Sequence, residues 1–344
     1  MLHTSLNASC EQWLVRYTKI VLQYACSYSA RMAATPRQRE AFEKAVRLSP
    51  ASRKLGRFFP PIHLPLLVYA GVHGVSEPAI PVSGATLLIS IGADLYDNLN
   101  DGDLPEEWKS YPEFEIIFTA DGIACVLPQL IVATLEIPAE RRQHIQELLA
   151  SCLLQMFAGQ AQDLALTHAT NPSIEAVESS LLAKSGLQGA LYTGLAAHMT
   201  DASEEVAEAY IDFGRNLGMV MQLRSDAHEL FYDPECRDLV NSTRTLQITL
   251  CLERLSGSER NDFLTLLDRA RTDVAAQQQV RAKLREIRFM YPWMAIVQKY
   301  LAQAEAALET AAPQEPAHSI LHALLSVETL NKFWKYLESR IAWT

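Results

Sequence analysis

Apolar side chains recur along this chain at intervals of three and four residues, which is the spacing of one buried face of an α-helix. The pattern is clear between residues 140 and 166, where Ile145, Leu149 and Met156 lie among polar positions at that spacing. A second long example covers residues 206–230. Alternating patterns with Asn-Gly or Asp-Gly turns, which mark β-hairpins, are nearly absent. The pattern therefore predicts an all-α protein.

The predicted helices cover most of the chain. One of them has Thr35, a good N-cap residue, followed by Pro36 at the first helical position. A loop with two prolines separates a predicted main domain, residues 1–310, from a C-terminal helical appendage, residues 317–344. The predicted helical stretches are residues 35–48, 64–74, 83–100, 114–135, 140–166, 173–198, 206–230, 243–255, 259–279, 281–310 and 318–341.

Composition narrows the possible functional classes. The 344 residues include 49% hydrophobic and 20% charged side chains, which excludes a disordered chain. The 40 acidic residues outnumber the 30 basic ones and give a net charge of −10, whereas nucleic-acid-binding domains carry a basic face. Six cysteines without a CxxC pair predict buried thiols in a reducing compartment. No uninterrupted apolar stretch reaches the roughly 18–20 residues that span a bilayer. We therefore expect a cytoplasmic protein that binds no nucleic acid and does not insert stably into a membrane.

An acidic cluster follows the hydrophobic segment that begins near Leu87. Asp94, Asp97 and Asp101 are spaced i, i+3 and i+7, which places three carboxylates on one helical face. Like charges at this spacing repel one another unless a cation lies among them, and carboxylate oxygens are ligands that Mg²⁺ prefers. The alternative interpretation is a solvated acidic helix end, with Asp101-Gly102 as a stop signal.

A second hydrophobic helix also ends in acidic residues. Asp226 and Glu229 lie three residues apart, with Gln222 and Ser225 on or near the same face. Gly218 and a second glycine one turn before it form a smooth stripe that permits close helix packing. Acidic groups at the ends of two hydrophobic helices are what a site for a metal-bound diphosphate with an apolar tail requires.

These two segments resemble the aspartate-rich motifs of the trans-isoprenyl diphosphate synthase (polyprenyl synthetase) superfamily, and most of all its class I terpene synthases. Residues 97–103 (DNLNDGD) are similar to the first motif, DDxxDGD, with Asn98 in place of the second aspartate. Residues 222–229 (QLRSDAHE) are similar to the second motif, QxxDDxxD, with Ser225 and Glu229 in place of two aspartates. Further similarities are residues 159–164 (GQAQDL) to GQxxDL, residues 184–186 (KSG) to KTG, and residues 238–246 (DLVNSTRTL) to DLxxGKxTLP.

The order and spacing of these motifs agree with the family over residues 55–250, which implies a single large isoprenoid-synthase helical bundle with a central cavity. The resemblance also implies a role for each matching residue. The catalytic aspartates would be Asp97, Asp101 and Asp226, and the ligands of three Mg²⁺ ions would be these three with Asn98 and Glu229. The substrate diphosphate would contact Lys184, Arg244 and Gln222, with Asp94, Gln160, Asp163 and Ser225 in supporting positions. A register that begins the first motif at Asp94 and Asp97 is the alternative.

Two departures from the family pattern bear on the reaction. Chain-elongating members bind isopentenyl diphosphate with a GGKRxRP segment and with an RRG after the first motif. Here residues 52–61 (SRKLGRFFPP) keep basic residues without the motif, and residues 103–109 (DLPEEWK) contain no RRG. Carboxylates in place of arginine forks should bind a second diphosphate poorly.

We therefore expect a class I terpene synthase, a lyase of isoprenoid biosynthesis. It would ionise one linear prenyl diphosphate and then cyclise or quench the carbocation. The alternatives are a prenyltransferase, acting in chain elongation or on a peptide acceptor, and a non-catalytic partner subunit of such an enzyme. The resemblance also implies a homodimer.

Small residues before the first motif bear on substrate length. By the resemblance, Gly92 and Ala93 would form the pocket floor, and their small size indicates a substrate of geranylgeranyl size or longer. The alternative for Gly92 is close helix packing. Further along the chain, Arg281 and three neighbouring basic residues are candidates either for a basic lid over the diphosphate or for a solvated helix face.

Overall fold

A computed structural model describes residues 8–233 and 236–325 of the chain. Those residues form helices and no strand, so the predicted all-α class is confirmed. Two short 3₁₀ helices, Glu77–Ala79 and Glu106–Trp108, and two π-helical segments, Gly122–Val126 and Leu182–Gly186, accompany the α-helices. The α-helices are α1 (Ala8–Met32), α2 (Pro36–Leu48), α3 (Pro50–Arg53), α4 (Pro60–His73), α5 (Ile80–Asp101), α6 (Glu113–Asp121), α7 (Leu127–Ala133), α8 (Ala139–Leu166), α9 (Ile174–Leu181), α10 (Leu187–Ala197), α11 (Glu204–Tyr232), α12 (Arg237–Val240), α13 (Leu246–Arg254), α14 (Gly257–Ala270), α15 (Val274–Ile287), α16 (Met290–Ala311) and α17 (Ala317–Leu325).

Capping residues set the ends of the helices that matter here. The Thr35 hydroxyl accepts a hydrogen bond from the Gln38 N–H at the start of α2, as the sequence predicts. Helix α5 ends at Gly102, whose φ of 69° lies in the left-handed region that glycine adopts without a Cβ penalty. The Gly102 N–H donates to the carbonyls of Asn98 and Leu99. The Asp-Gly stop signal therefore ends the helix that carries the first acidic cluster.

The predicted helix break near residue 280 is wrong. Helix α14 ends at Ala270, and α15 begins after Asp273, whose carboxylate accepts a hydrogen bond from the Ala275 N–H. Helix α15 then ends at Ile287 and is capped by Arg288, which has a φ of 56°. The helix breaks lie at these two caps because the capping residues form hydrogen bonds with backbone groups that have no partner within the helix.

The described residues form two compact units, each with its own apolar core. Residues such as Ile62, Leu66 and Leu88 make up the core of the first unit, and Leu223 and Trp293 lie in the core of the second. Among the described residues, the first unit comprises residues 8–153, 190–214 and 307–324, and the second comprises residues 154–189, 215–233 and 236–306 together with Leu325.

The beginning of the predicted C-terminal appendage belongs to the first unit. In the loop just before the appendage, the Gln314 N–H donates to the Gly71 carbonyl at 2.7 Å, and the Gln314 side chain donates to the Val72 carbonyl at 2.8 Å. The rest of the appendage, residues 326–344, lies outside the described residues. The division into residues 1–310 and 317–344 stays a prediction.

Two helical stretches of the first unit, Glu77–Asp101 and Glu113–Ala133, are long and apolar enough to cross a membrane. Neither is an uninterrupted apolar stretch, since the first contains Asp94 and the second contains Asp121. Their most apolar windows are 67% and 50% buried within the protein, as expected of core helices in a soluble fold. The prediction of buried thiols holds for Cys152, Cys236 and Cys251, whereas Cys10, Cys26 and Cys125 are half-buried; all six are free.

Candidate active site

The first acidic cluster lies on the last turns of α5. Asp94 and Asp97 are half-buried, and Asp101 is exposed. Burial, and then repulsion from Asp97, raises the pKa of Asp94 to about 7. Beside them on α10 is Tyr192, whose pKa is raised by burial and then by the charge of Asp94. Asp94 and Asp97 are thus brought together as predicted, whereas no motif indicated Tyr192.

The segment that follows this cluster is fixed by α2. The Lys44 ammonium donates to the Glu107 carbonyl at 3.0 Å. The Tyr111 ring lies 3.8 Å from the Arg37 guanidinium carbon and 4.2 Å from the Lys44 nitrogen, both within cation–π range. The Glu107 carboxylate pairs with Arg53 at 3.6 Å. One of the carboxylates that replace RRG therefore pairs with a basic residue of the segment that precedes the first motif.

Gly92 packs against the helix that follows in the chain. A Cβ atom added at this position would lie 2.6 Å from the Cβ of Ala124 and 3.1 Å from the Ala120 carbonyl oxygen. This close approach accounts for the glycine, so Gly92 itself gives no indication of pocket depth. Ala93, the other predicted floor residue, is half-buried.

The second acidic cluster lies near the end of α11, where Asp226 is only 7% exposed. The Gln222 carboxamide donates to the Asp226 carboxylate at 2.6 Å. Burial raises the pKa of Asp226; the Gln222 hydrogen bond lowers it, and the charges of Asp163 and Glu229 raise it again. Ser225, by contrast, is exposed. The structure thus brings together four residues that the motifs predicted.

The π-helical segment Leu182–Gly186 supplies the cation of this cluster. The Lys184 ammonium lies 3.4 Å from the Asp163 carboxylate and also lowers the pKa of Asp226. The Ser180 hydroxyl donates to the other Asp163 oxygen at 3.4 Å. Gln160, predicted as a supporting residue, is half-buried on the same helix as Asp163. Sequence periodicity gave no sign of the π turn, which is a feature that often occurs at functional sites.

Glu229 also has a structural partner. Its Oε1 atom accepts the Asp238 N–H at 2.9 Å, in the first turn of α12, and lies 3.9 Å from the Cys236 sulfur. Ligand atoms of these three side chains lie within 4.8 Å of one another. Glu229 therefore holds the segment after α11 in addition to its predicted role as a metal ligand.

Two arginines that the sequence offered as diphosphate or lid residues bind backbone carbonyls. Arg244 is buried, and it donates from Nε to the Ala169 carbonyl at 2.7 Å and from Nη1 to the Ser242 carbonyl at 3.0 Å. Arg281 is 3% exposed and donates to the carbonyls of Leu230 and Asp233 at 2.6 and 2.7 Å. The interpretation of Arg281 as a lid or a solvated residue is wrong, because its guanidinium donates hydrogen bonds to carbonyls at the end of α11. A cation is favourable at this end of a helix.

The donors of both clusters fit Mg²⁺. Asp94 and Asp97 repel each other in the first cluster, and the charges of Asp163 and Glu229 repel that of Asp226 in the second. Carboxylate oxygens are hard ligands, and a divalent cation would relieve the repulsion among them.

A family model described as polyprenyl synthetase matches residues 111–284, which is half of the chain. The chain belongs to the polyprenyl synthetase family. This confirms the resemblance to the trans-isoprenyl diphosphate synthase superfamily. The matched residues contain the second acidic cluster and the Lys184 segment, whereas α5 precedes them.

One curated relative and two solved structures are similar to this chain. A short chain isoprenyl diphosphate synthase of Methanocaldococcus jannaschii is 22% identical over 203 residues, which are 56% of this chain and 61% of that relative, less than two thirds of its length. The solved geranylgeranyl pyrophosphate synthetase of Pyrococcus horikoshii has a TM-score of 0.79 at 19% identity, covering 92% of this chain and 97% of that one. The geranylgeranyl pyrophosphate synthase of Corynebacterium glutamicum, solved with isoprenyl diphosphate and magnesium, has a TM-score of 0.74 at 15% identity, covering 93% and 98%. At these identities the structures show a shared fold.

Proposed function

We propose that this member of the polyprenyl synthetase family is a Mg²⁺-dependent prenyltransferase that uses an allylic prenyl diphosphate. The observation that carries the proposal is the cluster around the buried Asp226, whose carboxylate feels the charges of Asp163, Glu229 and Lys184, while the Lys184 ammonium pairs with Asp163 at 3.4 Å. Such a cluster suits a diphosphate that arrives with Mg²⁺. The relatives described above are named as prenyl diphosphate synthases, which supports transfer to an acceptor over the cyclisation that the sequence alone favoured.

Each acidic helix has a proposed part in substrate binding. Asp97, Asn98 and Asp101 would supply metal ligands from α5, and Asp226 and Glu229 would supply them from α11. Bound Mg²⁺, three ions by the family resemblance, would act as a Lewis acid on the leaving diphosphate.

The basic and amide side chains would hold the diphosphate itself. Lys184 would bind its oxygens as a point charge, with its ammonium oriented by Asp163. Gln222 would approach it beside Asp226. Arg244 already donates from Nε and Nη1 to carbonyls, so it would contact the diphosphate through Nη2.

One observation favours a terpene synthase as the second candidate. The Glu107 carboxylate neutralises Arg53, and Glu106 pairs with Lys109 at 2.5 Å, in the segment where chain-elongating relatives carry RRG. A surface with these carboxylates offers little attraction to isopentenyl diphosphate. The ionisation step and its metal requirement are the same in both candidates.

Product analysis separates the candidates. The purified chain is incubated with Mg²⁺ and with geranyl, farnesyl or geranylgeranyl diphosphate, with and without isopentenyl diphosphate, and the products are identified by chromatography and mass spectrometry. A longer prenyl diphosphate that requires isopentenyl diphosphate is the expected result. A hydrocarbon or alcohol formed without it would support the terpene synthase, and no product under any condition would favour a non-catalytic subunit.

We also propose that the protein is a cytoplasmic homodimer. Helix α6 exposes Phe114, Phe118 and Ile117 at 58%, 66% and 36% of their surfaces. Large apolar side chains grouped on one exposed helix face are typical of a surface that another protein covers. Light scattering on the purified chain measures its oligomeric state directly.

A further inference from the structure

The π segment Leu182–Gly186 is packed between two glycines on different helices. A Cβ atom at Gly159 of α8 would lie 2.7 Å from the backbone carbonyl carbon of Ala183. A Cβ atom at Gly218 of α11 would lie 3.2 Å from that of Ser185 and still closer to its oxygen. Both helices therefore approach the segment closely through positions that carry no side chain.

Each glycine is followed, one helical turn later, by a polar side chain that binds the same segment. Four residues after Gly159, Asp163 binds Lys184. Four residues after Gly218, the Oε1 atom of Gln222 accepts the hydroxyl hydrogen of Ser185 at 2.9 Å. Residues i and i+4 share one helix face, so each close backbone contact is adjacent to a polar one.

The hydrogen bond from Ser185 holds the Gln222 carboxamide in the orientation that Asp226 requires. In its ionised, metal-binding form the Asp226 carboxylate can only accept, so the amide nitrogen of Gln222 must face it, and Nε2 donates to Asp226 at 2.6 Å. The Gln222 oxygen is then directed to the Ser185 hydroxyl. A carboxamide rotated by 180° would place its oxygen against the carboxylate and its NH₂ group against the hydroxyl.

We propose that Ser185 is a positioning residue for the diphosphate and Mg²⁺ cluster, because it fixes the Gln222 carboxamide and, through it, the Asp226 carboxylate. Two adjacent residues of the π segment thereby hold both helices: Lys184 binds α8 and Ser185 binds α11. The inference rests on the proposed function, in which Asp226 and Lys184 serve the same substrate. Ser185 itself does not have to touch the substrate in this role.

The test compares Ser185→Ala with Ser185→Thr, which keeps the hydroxyl. Calorimetric titration of Mg²⁺ with inorganic pyrophosphate measures binding without turnover. We expect binding about fivefold weaker in Ser185→Ala, as for loss of one hydrogen bond, with recovery in Ser185→Thr. Thr249→Val is the matched control, since Thr249 is buried in the same unit and its hydroxyl makes no hydrogen bond within the described residues; binding should not change.

A double-mutant cycle tests whether Ser185 acts through Gln222. In a Gln222→Leu background, Ser185→Ala should cause no further loss of binding. Three results would overturn the proposal. Ser185→Ala could weaken binding further in the Gln222→Leu background, it could bind as well as the parent, or Ser185→Thr could bind as weakly as Ser185→Ala. If the parent binds Mg²⁺ and pyrophosphate but turns over no prenyl diphosphate, the proposed function fails while the cycle still decides the role of Ser185. If the parent binds neither Mg²⁺ nor pyrophosphate, the proposed function and the role of Ser185 are both contradicted.

Discussion

The fully buried His63 on α4 should make the protein less stable in mild acid. Its Nδ1 atom accepts the Phe59 N–H at 2.8 Å, so the ring proton is on Nε2, which lies 3.1 Å from the Thr18 hydroxyl. Burial lowers the pKa of His63 from 6.5 to about 4. The folded chain therefore holds this ring neutral at pH values where the unfolded chain protonates it.

The sign of the effect follows from linkage. As the pH falls below 6.5, the unfolded state gains a proton that the folded state does not gain until about pH 4, so stability decreases. The difference between the His63 pKa in the unfolded chain and in the folded chain corresponds to about 3.4 kcal/mol of unfolding free energy. About 2.5 kcal/mol of this should be lost between pH 7.5 and 4.5.

Urea unfolding of the parent and of His63→Asn at several pH values measures the contribution of His63 to the pH dependence of stability. The asparagine oxygen can still accept the Phe59 N–H, but the side chain does not titrate. Subtracting the two curves removes the contribution of the acidic residues. The parent should lose about 2.5 kcal/mol more than the variant between pH 7.5 and 4.5. Parallel curves would show that the buried His63 ring does not stay neutral in the folded chain.

Four further predictions concern the site and its surroundings. Asp97→Ala should lower activity by a factor on the order of 100 while Asp94→Ala retains most of it; the opposite order would favour the alternative register. Glu229→Gln keeps an acceptor for the backbone of α12, so its thermal midpoint should stay unchanged while Mg²⁺ affinity falls; unchanged affinity would mean that Glu229 serves only the backbone. Phe118→Glu should convert the dimer into a monomer by light scattering, and an unchanged mass argues against this face. Gly92→Leu should destabilise the fold by about 1–3 kcal/mol, because its Cβ would clash with the helix packed there; full stability with a shortened product would instead make it a pocket-floor residue.

Local chemistry made several features of the fold predictable. Thr35 marked the start of α2 because its hydroxyl caps the helix, and Gly102 marked the end of α5 because glycine accepts a positive φ. The i, i+4 spacing of Gln222 and Asp226 placed both on one face of α11, where they form a hydrogen bond. These features depend on residues close together in the chain.

The remaining features depend on contacts between distant segments. The π turn at Lys184 adds one residue to a helical turn, and the apolar pattern through it still looks continuous. The charge of Arg281 did not reveal that its partners are carbonyls at the end of α11, about 50 residues earlier. The absence of a side chain at Gly92 suits a pocket floor and a helix contact equally well. Only the packing of Gly92 against Ala124 distinguishes them.

In the proposed function, the Asp226 cluster serves Mg²⁺-dependent ionisation of a prenyl diphosphate. Release of diphosphate from an allylic prenyl diphosphate, with and without isopentenyl diphosphate, tests it most directly in the parent and in Asp226→Asn. We expect release that requires Mg²⁺, stops on chelation and falls by a factor on the order of 100 in the variant. A parent that releases no diphosphate from any chain length, or a variant as active as the parent, would contradict the account.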